Sequence, residues 1–291
     1  MRNDGFSKLH PLTNFLFFIG AIGFGVIFQH PAYLMVGASA GVLYYSLLLG
    51  RKVLKALIAM IPLFLLVAML NPLFNTRGEH TLFFLFGRPY TLEALCYGAG
   101  IGGILVITLL WFGCYNRIMT EDKFTALFGS VAPSLSLLMV MVFRLIPGLQ
   151  RKAKQITDAR KAIGLGGENA PKKEKLRSAM TVMLSLTGWS LESGILTADS
   201  MRSRGYGTTK RTQFHLYRIT ASDWVALGWM ALTAAVTLWG GFTGSTDAIY
   251  TPVLSFAPVT PVLAGYCLFL LTPTIIHLKE VLRCRIFISR I

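Results

Sequence analysis

A chain of 291 residues that is 54% hydrophobic and only 14% charged cannot be an ordinary soluble domain and reads as a membrane protein. Its 28 Lys and Arg against 13 Asp and Glu leave a net charge of +15. In a soluble protein that excess would suggest nucleic acid; in a membrane chain it reports orientation, and no nucleic acid is expected as a partner.

Windows free of Asp, Glu, Lys and Arg run from Leu9 to Gly50, Ala56 to Thr76, Ala94 to Asn116, Phe124 to Phe143, Trp224 to Thr246 and Ala248 to Leu278. A hydrocarbon core about 30 Å thick takes roughly 20 apolar residues of helix, so the first window holds two spans. Residues 1 to 10 form a short tail, with Phe6 and Leu9 expected at the membrane interface. The first span, Leu12 to Phe28, turns at Gln29-His30-Pro31, where proline cannot continue a helix. The second returns by Leu49, and Arg51, Lys52 and Lys55 anchor its inner end. Gly37 and Gly41, like Gly98 and Gly102, are four apart and let helices pack closely.

The third span ends near Asn71-Pro72. Residues 73 to 91 carry Gly78, Gly87 and Pro89 around the apolar run Leu82 to Phe86, which predicts a short outer hairpin. Thr91-Leu92-Glu93 caps a fourth span that ends near Tyr115-Asn116-Arg117. Thr120-Glu121-Asp122 starts another helix. Phe124 to Phe143 is long enough to cross, but Gly129, Pro133, Ser134 and Ser136 interrupt it, and crossing would export the basic segment Arg151 to Arg177. It is therefore expected to slant along the inner membrane surface.

Beyond Pro147 the helix continues, with Leu149, Ile156 and Ile163 in heptad-like register, and breaks at Ala162-Ile163-Gly164. Arg144 beside Pro147 reads either as a snorkelling cation on a kinked helix or as a hinge. A polar linker through Gly166 and Gly167 leads to a second long helix, Leu176 to Arg204. There Leu191, Ile195, Ala198 and Met201 line one side, and Ser203-Arg204-Gly205-Tyr206 closes it. A glycine at position 205 can take the left-handed conformation that ends a helix, leaving a guanidinium at an exposed tip. After Arg218, Asp223 caps a fifth span reaching about Trp239. An outer loop holds Asp247, Pro252 and Pro258, and a sixth span runs about Val259 to Leu278, followed by Lys279, Arg283, Arg285 and Arg290.

With six crossings and a cytoplasmic N-terminus, all but Arg77 and Arg88 of the 28 basic residues lie inside, so both termini are expected in the cytoplasm. From Arg144 to Arg218 there are 15 basic and 5 acidic residues, a face suited to anionic headgroups or an acidic protein. The expected fold is an all-α polytopic membrane protein of about six transmembrane helices plus a cytoplasmic domain of long amphipathic helices. Its divisions are 1–117 for spans one to four, 118–218 for the cytoplasmic helices and 219–291 for the last two spans.

Catalytic patterns are missing. No Gly-x-x-x-x-Gly-Lys-Ser/Thr loop occurs, and Gly205 to Lys210 has the wrong spacing for one. His10, His30, His80, His215 and His277 are scattered without companion carboxylates, and Cys96, Cys114, Cys267 and Cys284 lack metal-like spacing and are expected as free thiols. Neither metal, cofactor nor enzymatic activity is expected of this chain.

The run Ala198 to Tyr206 resembles the Ala-Arg-Gly signature of the transmembrane T component (EcfT or CbiQ-like) of energy-coupling factor transporters, the vitamin and metal-ion importers, with Ser203 where alanine is usual. The resemblance extends to Leu9-His10-Pro11-Leu12-Thr13, Asn71-Pro72-Leu73-Phe74, Phe86-Gly87 with Thr91-Leu92-Glu93-Ala94, Phe143-Arg144-Leu145-Ile146-Pro147, and Gly205-Tyr206 leading to Arg211-Thr212. It implies a non-catalytic subunit in the plasma membrane of a prokaryote. Its two cytoplasmic coupling helices would end on two ATPases, which bind the ATP and Mg, and their other surfaces would hold a membrane-embedded substrate-binding S component. Arg204, with Ser203, Gly205 and Tyr206, would form one ATPase contact, and Arg144 and Pro147 would stand at the junction between membrane and cytoplasmic parts. The other tip departs from the family: Ala162-Ile163-Gly164 has isoleucine where arginine is usual. Either Arg160 or Lys161 takes over, or that ATPase is held by apolar contact, which favours two non-identical ATPases. An ordinary ABC permease or a self-contained secondary carrier are the alternatives, the latter lacking visible membrane-embedded ligands or duplicated halves.

Overall fold

A computed structural model describes residues 5–50, 53–75, 78, 80–85, 88–165, 171–208, 217–250, 254–258 and 260–288. The sequence readings at Arg77, Phe86-Gly87, Gly166-Gly167, Lys210 to His215, Pro252, Val259 and Arg290 lie outside the described residues, as do the side chains of Arg88, Pro133, Arg283, Cys284 and Arg285. A 3-10 turn, Phe6–Lys8, precedes α1 (Pro11–Ile27), α2 (Pro31–Leu49) and α3 (Val53–Phe74). A hairpin of β1 (Thr81–Leu85) and β2 (Arg88–Thr91) leads into α4 (Leu92–Ile118). Then come α5 (Glu121–Val131), α6 (Pro133–Ala162), α7 (Lys172–Ser203), α8 (Ala221–Phe242), the two-residue strands β3 (Ala248–Ile249) and β4 (Ser255–Phe256), and α9 (Val262–Ile288).

The helix starts follow from local chemistry. His10-Pro11 and His30-Pro31 open α1 and α2 in the same way: proline stands at the first helical position, where its missing N–H costs nothing, and the preceding imidazole Nδ1 accepts from the N–H of Leu12 or Ala32, each at 3.2 Å. Thr91 Oγ1 accepts from Ala94 N–H at the head of α4. A capping box opens α8, with Thr220 as the cap and Asp223 reaching back to it, so Asp223 is the third residue of the helix and not its cap.

By length and composition α2, α3, α4, α6 from Ser134, α8 and α9 can each cross a membrane, which makes this a helical, multi-pass membrane protein. That set differs from the expected six. The first expected span, α1, has 17 residues and is short for a crossing of about 20. The slanting segment Phe124 to Phe143 instead divides at Ala132 (φ −136°, ψ 78°), and its second part continues into a single helix of 30 residues.

Contacts divide the chain into two compact units. The first, residues 1–123 and 217–291, is a bundle with α4 at its middle, packed against α1, α2 and α3, while α9 packs on α2 and α8. Small residues set these approaches. A Cβ at Gly98 would stand 2.7 Å from the Ala68 carbonyl of α3, one at Gly102 3.0 Å from Phe64, and one at Gly41 3.4 Å from Trp111. The core is aromatic: Phe17 stacks on Phe269 at 5.4 Å and meets Trp111 edge-on at 5.5 Å. Among lipid tails that packing is held by dispersion and shape more than by exclusion of water.

Phe6 overturns the interfacial expectation. It is fully buried, edge-on to Phe17 at 5.2 Å and close to Phe18 and Tyr44. Polar groups fasten the turn that carries it. Lys8 pairs with Glu280 of α9, and the His10 N–H donates to Asp223 Oδ1 at 2.7 Å. The buried Lys123 ammonium donates to the Ser7 carbonyl and hydroxyl, and the Asn14 amide accepts from Lys123 at 3.3 Å while donating to the Phe6 carbonyl at 2.9 Å. The expected hairpin is present, with Phe83 opposite Tyr90 and Phe84 opposite Pro89. Against the expectation for the histidines, His80 does have a companion carboxylate, Glu93 Oε1, 2.7 Å from its Nδ1.

The second unit, residues 124–216, is built on α6 and α7. Gly148 of α6 lies by the Trp189 ring, 3.7 Å from where a Cβ would stand, and Arg160 Nε donates to Ser178 Oγ at 3.0 Å. As α6 advances from 148 to 160, α7 retreats from 189 to 178, so the two run antiparallel.

Candidate functional site: the two helix tips

The closing turns of α6 and α7 are the same structure. At α7 the Gly205 N–H donates to the Arg202 carbonyl and the Tyr206 N–H to the Met201 carbonyl, each at 3.0 Å, with Gly205 at φ +75°. At α6 the Gly164 N–H donates to the Lys161 carbonyl at 3.0 Å and the Leu165 N–H to the Arg160 carbonyl at 2.9 Å, with Gly164 at φ +79°. Both are Schellman closures, in which glycine takes the left-handed position and two orphan carbonyls find donors. Position by position, Ala162 matches Ser203, Ile163 matches Arg204, Gly164 matches Gly205 and Leu165 matches Tyr206.

The last helical carbonyls concentrate negative potential, which a neighbouring cation offsets. At α7 the exposed Arg204 supplies it, and among the described residues its guanidinium has no hydrogen-bond partner. Ser203 Oγ turns back to the Ser200 carbonyl at 2.9 Å and Thr208 Oγ1 to the Gly205 carbonyl at 2.7 Å, so the backbone around the arginine is fixed. At α6 the corresponding side chain is Ile163, 72% exposed. Of the two cations named as its substitutes, Arg160 is bonded across to Ser178, whereas Lys161 is exposed. Leu165 and Tyr206, both 43% exposed, stand beside the two tips.

The antiparallel pairing keeps the tips apart. Ile163 sits at the end where α7 starts, near Ser178, and Ser203 lies 25 residues farther along α7, about 38 Å at 1.5 Å per residue. The flanks between them are apolar and uncovered: α7 buries no residue, and Leu184, Leu191, Ile195 and Leu196 are all more than 60% exposed. Arg144 and Pro147 are exposed on α6, which continues unbroken through the proline.

Sequence reasoning placed both tips but missed what holds the chain where it leaves the first unit. Lys123 is locked to Ser7 and Asn14 there, and burial, with Asp122 nearby, raises the Tyr217 hydroxyl above the usual phenol range. A lysine following Glu121-Asp122 looks like one more surface charge in the sequence.

No family model matches the chain. Over 207 residues it is 27% identical to the energy-coupling factor transporter transmembrane protein EcfT of Thermanaerovibrio acidaminovorans, an alignment covering 67% of this chain and 76% of that protein.

Proposed function

We propose that this protein is the transmembrane coupling subunit of an energy-coupling factor importer, relaying the motion of two cytoplasmic ATPases to a membrane-embedded, substrate-binding S component that takes up a vitamin or metal ion. The single observation that supports this most is the pair of like-closed helix ends, one arginine-tipped, on a helix pair with uncovered apolar flanks. The likeness to EcfT agrees with it. In this reading the excess of Lys and Arg on the second unit favours a cytoplasmic face for it and for both termini.

In this reading each tip seats in a groove of one ATPase. Arg204 makes charge-assisted bonds to carboxylates or carbonyls there, worth roughly 1.5 to 3 kcal/mol each, and Gly205 and Ser203 permit close approach. The α6 tip offers Ile163 with Lys161 beside it, so the two ATPase grooves differ. ATP and Mg belong to those partners, and this chain contributes no catalytic group. Arg144 and Pro147 lie where motion passes towards the membrane.

Arg204→Glu tests the reading. Co-purification of one ATPase and substrate uptake should both fall by about tenfold or more, the effect of losing one such bond, at an unchanged membrane level of the subunit. Uptake at the wild-type rate would refute the role. Ile163→Glu should weaken the other contact, less severely if Lys161 shares the load.

A further inference from the structure

The bundle contains a cleft that the helix tips do not use. It has a volume of about 730 Å³ and lies between α2 and α3, with α4 as its floor. Both walls pack firmly on α4 but scarcely touch each other, so the cleft opens sideways, towards the surrounding membrane. Met35 stands on one wall and Met60 and Leu65 on the other, and Ala99, Gly100 and Gly103 form the floor.

Three observations decide what can enter. The lining is apolar, and the two polar side-chain groups among its residues are the Cys96 thiol and the Tyr250 hydroxyl. Tyr250 already donates to the Gln29 carbonyl at 2.6 Å, so a polar solute would leave its water hydrogen bonds unreplaced. At the end nearest the β-hairpins, Tyr250 and Phe256 pack edge to face at 5.6 Å and roof the cleft, which favours entry from the side. Along the floor the lining runs from Cys96 to Ile107, about 16 Å of helix, close to half of a hydrocarbon core about 30 Å thick. A spanning helix of a partner would need a groove of the full thickness, whereas a lipid tail is one leaflet long.

We propose that this cleft is a binding site for an acyl chain of a phospholipid from the leaflet on the hairpin side, which fills the gap between α2 and α3. The site is independent of the proposed coupling role. Polarizable methionines on both walls adapt to a flexible hydrocarbon, and the glycines of the floor let it lie close to the α4 backbone.

Native mass spectrometry of the full chain, loaded with phosphatidylethanolamine and stripped with increasing detergent, tests the proposal. The wild type and Leu66→Phe, which faces outward on α3 away from the cleft, should retain lipid after the remainder has gone. Ala99→Phe and Met60→Trp, which fill the cleft from two different helices, should each retain about tenfold less, as expected when a couple of methylenes lose their contacts. On the wild type alone, lipids with chains of about sixteen carbons should outlast those of about eight by at least the same factor. Equal retention by the filled variants, or no dependence on chain length, overturns the proposal. So does a filled variant that keeps its lipid but loses a co-purifying membrane protein, because the cleft would then belong to that partner.

Discussion

The bundle and the helix pair are both rich in apolar residues, yet the buried aromatic core lies in the bundle. In the first unit Phe6, Phe17, Phe18, Trp111 and Phe269 enclose one another, and polar groups at its edge are matched in pairs: Lys8 with Glu280, His10 with Asp223, Lys123 with Ser7 and Asn14. In the second unit α7 turns leucines, isoleucines and methionines outward and buries nothing. The first unit has a closed aromatic core beneath its exposed surface, whereas α7 in the second contributes to no core and presents apolar surface that further protein or lipid must cover. Residues of the first kind should govern stability, and those of the second kind association.

Substitutions can break that division at either end. Trp111→Ala opens the middle of the aromatic core and should cost about 3 to 5 kcal/mol, read as a large fall in the unfolding midpoint of the purified protein; a small fall would mean the core is less tightly formed than described. Asp223→Ala removes the capping box and strands the His10 N–H, a loss of about 1 to 2 kcal/mol on the same assay. Gly164→Ala and Gly205→Ala force alanine into the left-handed region for about 1 kcal/mol each. Gly205→Ala should be the worse of the two, because its methyl would stand 3.2 Å from Thr208 Oγ1 whereas Gly164 faces open space. Leu184→Ser, on the uncovered flank of α7, should move the midpoint least, by about 0.5 kcal/mol or less, while weakening capture of the membrane partner that the proposed coupling role places on this flank. A stability loss as large as that of Trp111→Ala would show that the flank is already packed in the isolated chain.

The sequence was legible wherever structure is set by neighbours along the chain. Thr91 marks a helix start, Gly164 and Gly205 mark helix ends, Pro31 marks the turn between the first two helices, and the glycines and proline between 78 and 89 mark a hairpin, because each acts within a turn or two. Phe6 could not be placed the same way, since its burial depends on Phe17 and Phe18 of α1 and Tyr44 of α2 coming together around it. Lys123 meets Ser7 across 116 residues, and Lys8 meets Glu280 across 272; no periodicity records such partners. The division at Ala132 falls among the interruptions that Gly129 and Pro133 announce, whereas α7 starts at Lys172, four residues before the expected Leu176, because Pro171 can precede a helix whose first turn is lysine-rich. At the tips, the composition of both ends was readable, but their equivalence turn for turn appears only from the paired carbonyl contacts of Gly164 and Gly205.

The opposed directions of α6 and α7 have a mechanical corollary. The free end of α6 lies by the first turns of α7, and the two run in opposite directions, so a push on Gly205 would travel down α7 towards Pro171, while a push on Gly164 would travel down α6 towards Pro133. Loads arriving together at both ends therefore become shear along the seam where Trp189 rests on Gly148 and Arg160 grips Ser178. Those two contacts are among those that would resist sliding of one rod past the other.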